Sequence, residues 1–315
     1  GGSVDVAVAT ASGTTGNGIY LSQNAPGTFI RVSATGDVTS DGRDGIGIVN
    51  GGSGYVNVIS TNAAYSATVS GNDDGIDIEN NNGGDIFVLA NNVTGTTGFG
   101  ITASNDALGT DLSITTTGAV SGGVDGMYAN NVGTGDLTIS AFNPDGTATT
   151  TGGSFGIVAA NYNGGAVTVT ADSVPGTTQS GIVAFNSAVG STLSVTTYGD
   201  IQGNINGIAA TNLGSGDLTI TVSGGVTGDN VYGIQSATNP GSMSIITLND
   251  GANVTGGVNA IFNIAGDSMS TIIDGSTVSM GGVLSDGSDD LTITGADIVG
   301  VTVLDGGDDD SAADG

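Results

Sequence analysis

Residues 207–226 read GIAATNLGSGDLTITVSGGV. A glycine stands near each end, an Asn sits in the middle, and two short runs alternate apolar and polar residues. The outline recurs along the chain. Gly-Ile-x-(Ala/Ile)-x-Asn appears as GIGIVN at 45, GIDIEN at 75, GITASN at 100, GMYANN at 126, GIVAAN at 156 and GIVAFN at 181, with weaker copies GIYLSQ at 18, GIQSAT at 233 and AIFNIA at 260. With GIAATN at 207, ten starts between 18 and 260 give a mean step of about 27 residues, the mark of a repeat architecture.

Each period carries two further runs. One is Leu-x-Ile-like, often opened by Asp: DIFV at 85, DLSI at 111, DLTI at 136 and 217, AVTV at 166 and TLSV at 192. The other is a Val or Ile closely followed by Gly: VTG at 93, VSG at 120, IQG at 201, and VTG at 226 and 254. Gly, Asn and Asp separate the runs, as turns require. Three short strands in about 27 residues are too few for a propeller blade. They match one coil of a single-stranded parallel β-helix, in which each strand pairs with its counterpart one coil away.

The alternation identifies the core. Ile19, Ile46, Ile76, Ile101, Met127, Ile157, Ile182, Ile208, Ile234 and Ile261 follow the motif glycine, and Ile or Ala mostly stands two residues on. With a strand period of two, both positions point inward and stack as aliphatic ladders. Leu112/Ile114, Leu137/Ile139, Val167/Val169, Leu193/Val195 and Leu218/Ile220 form a second inward set. The expected fold is all-β, one solenoid of about ten three-strand coils over residues 1–304, followed by an acidic Gly/Asp tail at 305–315. At about 4.8 Å per coil the rod is on the order of 50 Å long.

Composition agrees and excludes several functions. The chain has 315 residues, 59 Gly and only 4 Pro, and Val, Ile and Thr are abundant while helix formers are scarce. A net charge of −28, set against only Arg31 and Arg43 as cations, repels phosphate backbones and anionic lipid, so no nucleic-acid partner is expected. There is no Cys, hence no disulfide framework or thiol chemistry. No segment is apolar enough to span a bilayer, and GGSVDVAVAT at the start does not read as a signal peptide.

Several positions invite a chemical reading. Asn50, Asn80, Asn105, Asn131, Asn161, Asn186 and Asn212 recur so regularly that an internal amide ladder explains them better than a row of ligands. Asp85, Asp111, Asp136 and Asp217 open the second strand in register. A cation ladder would use them, but Asx turns screened by solvent are the simpler expectation. Acid clusters lie at 72–75 (NDDG), 286–290 (DGSDD) and 304–310 (LDGGDDD). The last two share only part of the calcium-binding nonapeptide pattern, without its leading Gly pair or tandem series, so no cofactor is expected and calcium stands as the alternative.

Paired aspartates could hydrolyse a polysaccharide in principle, but a chain without His, Lys or Cys lacks the usual bases and activators. No catalytic, cofactor-binding or metal-ligating residue is assigned, and the chain is not expected to be an enzyme. Two outward surfaces remain. One is a Thr-x-Thr-like array (Ser113/Thr115, Thr138/Ser140, Thr168/Thr170, Ser194/Thr196, Thr219/Thr221), a pattern also seen on ice-binding solenoids. The other is an apolar patch of Val158, Ala160, Val183 and Phe185, suited to self-association or docking.

The coil pattern G-I-x-A-x-N…G-x-G-D-L-T-I-T…G-x-V-x-G resembles the repeat of type V secretion autotransporter passenger domains of Gram-negative bacteria, over residues 18 to 307 or so. The closing DGSDDLTITGADIVGVTVLDGGDDD resembles the end of such passengers. The resemblance implies a right-handed parallel β-helix, exported to the cell surface or released. It also implies a non-enzymatic stalk or adhesin acting in adhesion, self-association or biofilm formation, with itself or a surface glycan or protein as partner. A polysaccharide-active enzyme, or an ice- or calcium-binding solenoid, is the alternative. The first residues align with a second strand, Val4 and Val6 inward, and no cap is evident. A segment of a longer passenger, or a subunit that stacks end to end, is therefore expected.

Overall fold

A computed structural model describes residues 3–272 apart from 25, 28 and 65, together with the strands Thr277–Ser279, Val283–Ile293 and Asp297–Val299; side chains are described as far as Ile264. The side chains of the 286–290 cluster, and all of the 304–310 cluster and the tail, lie outside the described residues. Among the described residues there is no helix, and every strand pairing is parallel. The fold is a parallel β-solenoid of about ten turns.

Each coil contributes to three faces. Face 1 holds the motif strands, from Ile19–Gln23 through Ile157–Asn161 to Tyr232–Thr238 and on into Asn259–Ile272. Face 2 begins with Val4–Val8 and Ile30–Ala34 and continues through Leu137–Ala141 and Leu218–Val222 to Met243–Leu248. Face 3 carries the shortest strands, such as Ala11–Gly13, Asn92–Gly95 and Gly225–Gly228. Register follows the repeat: Ile101 pairs with Ile76 and Met127, and Leu137 with Leu112 and Val167. Val4 and Val6 pair with Ile30 and Val32, as their alignment with a second strand requires.

The inward columns meet in one thin, continuous core. Ile46, Ile76, Ile101, Met127, Ile157, Ile182, Ile208, Ile234 and Ile261 are fully buried, as are Leu112, Ile114, Leu137 and Ile139 across the core. Face 3 closes the triangle with Val38, Val69, Val93, Val226 and Val254. The motif glycine has a steric cause. A Cβ on Gly100 would lie 2.5 Å from the carbonyl oxygen of Gly126 and 2.7 Å from a methyl of Val120, so the corner between faces 3 and 1 has no room for a side chain.

The repeat departs from regularity in three places. Pro175, in Val174–Thr177, has no N–H to give and sits beside Gly176 at φ 43°, and face 3 divides there into two six-stranded sheets. The bridge Thr149–Ser173 spans the break, and beyond it the N–H groups of Thr178 and Gln179 donate to the carbonyls of Gly153 and Ser154. Towards the end of the described residues, face 1 runs into face 2 as one 14-residue strand, Asn259–Ile272, where two were expected, and its partner Val283–Ile293 one coil on is continuous in the same way. Two coils carry an extra loop at the corner between faces 2 and 3. In one, Asn62 Oδ1 accepts from the N–H groups of Ala64 and Ser66; in the other, Asn143 Oδ1 accepts from Asp145 N–H and its amide donates to Thr147 Oγ1.

Candidate functional site

The recurring Asn residues at the end of the face 1 strands are fully buried. Asn50 Nδ2 donates to Asn80 Oδ1 at 2.8 Å, and Asn80 Nδ2 donates to Asn105 Oδ1 at 2.8 Å; Gln23 extends this file by donating to Asn50 at 3.3 Å. Beyond Asn105 the amides turn to backbone. Asn131 donates to the carbonyls of Thr110 and Gly135, Asn186 to those of Gly165 and Thr192, and Asn212 to those of Ser191 and Gly216. The column therefore satisfies the carbonyls of successive corners, which burial would otherwise leave unpaired. It faces the interior and offers nothing to a soluble ligand.

The aspartates that open the face 2 strands act between coils. Asp85 Oδ1 accepts the Thr110 hydroxyl and, at 3.2 Å, the N–H of Asp111. Asp111 accepts the N–H of Asp136 at 2.9 Å, Asp136 that of Ala166 at 2.7 Å, and Asp217 that of Met243 at 3.0 Å. The expectation of local Asx turns is corrected here: the acceptor reaches one coil on, because parallel stacking places the next coil's N–H directly beside it. The other corners repeat the device, with Asp74 accepting from Phe99 N–H at 2.6 Å, Asp125 from Phe155 N–H at 3.0 Å and Asp200 from Gly225 N–H at 2.8 Å.

One acidic group stands apart. Asp44, Asp73, Asp74, Asp77 and Glu79 gather where two coils meet, and Asn17 Nδ2 donates to Asp44 at 2.8 Å. Asp77 projects from face 1 in register with Gly47, which has no side chain to separate it from this group. Burial above all, and then the charges of Asp74, Asp44, Glu79 and Asp73, push the Asp77 carboxyl up to about 7. Burial also raises Asp74 and Asp125, each partly offset by the N–H it accepts. Among the described residues no three acidic side chains converge closely enough to hold a metal ion.

Two openings are surface grooves. Ala64, Thr117, Asn143, Pro144 and Asp145 line one of about 490 Å³, between the two corner loops. Another of about 330 Å³ lies along the corner at Leu213, Gly214 and Pro240. Among the described residues, Asp145 is the single titratable side chain lining either.

What remains are two outward surfaces. On face 1, Tyr128, Val158 and Val183 are register neighbours, with Ala160 and Phe185 paired beside them. Tyr162 packs against Phe185 at 5.4 Å between ring centres, and Phe99 against Tyr128 at 5.7 Å. Burial, with Tyr162 and Asp125 nearby, raises the Tyr128 phenol above its ordinary range. Ala160 was expected to be outward and accessible, but it is only 6% exposed, because larger side chains such as its partner Phe185 overshadow it. The rings at 99, 128 and 162 widen the patch beyond the four residues that strand alternation singled out, since Phe99 and Tyr162 sit on corners. On face 2, the hydroxyl array stands as expected and continues one coil further, to Thr247.

No protein-family model, curated protein or solved structure matches the chain.

Proposed function

We propose that the chain is a non-enzymatic β-helical stalk or adhesin, of the kind exported as autotransporter passengers by Gram-negative bacteria and displayed at the cell surface. One observation carries the reading: the face 1 strands around it stack in unbroken register, and their patch of Tyr128, Val158, Val183 and Phe185 concentrates apolar, half-exposed side chains on a rod otherwise rich in carboxylates. Such a patch suits association with another surface, whether a second copy or a glycan or protein. The regular corners, whose polar groups are spent on holding coils together, suit a scaffold. No cofactor enters this reading.

The test is display of the chain on a bacterial surface, with cell clumping and attachment as readouts. Val183→Asp, placed in the centre of the patch, should reduce both at least tenfold, and Val189→Asp on an exposed corner should leave them unchanged. Equal attachment by both variants, or glycan cleavage abolished by Asp→Asn substitution, would overturn the proposal.

A further inference from the structure

The hydroxyls of face 2 take no part in that reading. Ser113, Thr138, Thr168, Ser194 and Thr219 are register partners in one file, and Thr115, Ser140, Thr170, Thr196, Thr221 and Thr247 in a second. All eleven are half-exposed, and none of their hydroxyls bonds within the chain. No register shift interrupts these pairings. The hydroxyls therefore form a regular lattice of two files, with repeats of about 4.8 Å from coil to coil and about 6.6 Å from file to file along each strand.

The chemistry of the lattice narrows its ligand. The chain carries 30 acidic residues, yet none of these eleven positions holds a charge. The charges of face 2 that belong to these files, Asp5 and Arg31, lie before it, as does the ring of Phe87. An ionic mineral needs charged partners, and a sugar face is best met by an aromatic ring. Within the two files neither is present; the carboxylates of Asp111, Asp136 and Asp217 stand just before the first file and the rings of Phe142 and Tyr198 just after the second. Thr offers instead a hydroxyl that donates and accepts, beside a methyl that does neither. Waters held between two such files are already spaced by the protein, so little ordering remains to be done when they join a solid. The coil-to-coil repeat is close to the shorter repeat of oxygen rows on the prism faces of hexagonal ice. We propose that face 2, from Ser113 to Thr247, binds the surface of ice crystals through a layer of water ordered by these hydroxyl and methyl rows.

The full chain, purified, is measured for thermal hysteresis, for inhibition of ice recrystallisation and for uptake of fluorescently labelled protein onto a single ice crystal. Wild type should arrest growth and adsorb to the crystal. Thr168→Tyr and Thr196→Tyr, each lifting a ring out of the centre of the lattice, should reduce hysteresis at least fivefold with an unchanged circular dichroism spectrum. Thr170→Ser, which keeps the hydroxyl, should lose less than Thr170→Tyr, and Val189→Tyr on a corner should match wild type. Absence of adsorption by wild type, or full activity in Thr168→Tyr, overturns the proposal. So does binding to crystalline cellulose or chitin without any effect on ice, which would assign the lattice to a glycan. The attachment assay above uses face 1 variants, so either proposal can fail without the other.

Discussion

The carboxylate of Asp111 accepts the main-chain N–H of Asp136 at 2.9 Å, one coil further along the rod. The bond needs an acceptor and not a charge. Asp111→Asn, which keeps a carbonyl oxygen in place, should change stability little, whereas Asp111→Ala should cost about 1 kcal/mol. Chemical denaturation with and without calcium separates this role from a cation ladder. A ladder would make wild type calcium-dependent and Asp111→Asn not.

Asn80 is bonded to the amides on both sides of it in the column. It receives from Asn50 and donates to Asn105 and to the carbonyls of Gly83 and Gly84. Asn80→Ala should cost about 3 kcal/mol, because it strands several buried groups at once. Asn80→Asp should be worse, since a buried carboxylate cannot donate to those carbonyls. Thermal melts of the two variants check the order.

The Asp77 carboxyl is raised from an unfolded value near 3.8 to about 7 in the fold. Folding therefore favours its protonated form. Its contribution is fully present below pH 4 or so, declines as pH rises toward 7, and is gone above that. Asp74 and Asp125 act in the same direction. Asp77→Asn should flatten much of this decline, an effect on the order of 1–2 kcal/mol once solvent screening is allowed for. Denaturation midpoints measured from pH 4 to pH 8 give the profile; equal slopes in both proteins would refute the assignment.

Two alanine substitutions probe the corners. Gly100→Ala drives a Cβ into the Gly126 carbonyl and the Val120 methyl and should cost about 1–3 kcal/mol. Gly16→Ala meets nothing within 4 Å and should be neutral or slightly stabilising. Comparing the melting temperatures of the pair decides whether space, and not glycine's flexibility, fixes the repeat.

The coils were legible in sequence because three inward columns recur at a constant step, and one-residue slips would turn every Ile outward. Legibility failed where that signal became ambiguous. Met243–Leu248 has apolar residues at both parities, and only pairing with Leu218–Val222 turns Ile246 and Leu248 inward, with Ser244 buried beside them. The reach of Asp111 to the next coil, the cover over Ala160 and the joining of Asn259–Ile272 all depend on neighbours about 27 residues away. The hydroxyl files were visible because alternation alone sets which side chains face out. The acidic meeting point of Asp44 and Asp77 was not, because its members come from different coils.

Pro175 has a mechanical consequence. In a stack held only by nearest neighbours, a pulling force or a protease finds the weakest joint first. Where face 3 is interrupted, two adjoining coils are laced along two full edges and, on the third, by one bridge and the corner bonds of Thr178 and Gln179, while the other described face 3 strands pair with one another. The rod is thus two blocks in series, and stretching it from its ends should part them near residue 175 before either block unravels. Filling that gap with Pro175→Thr would turn two shorter springs into one.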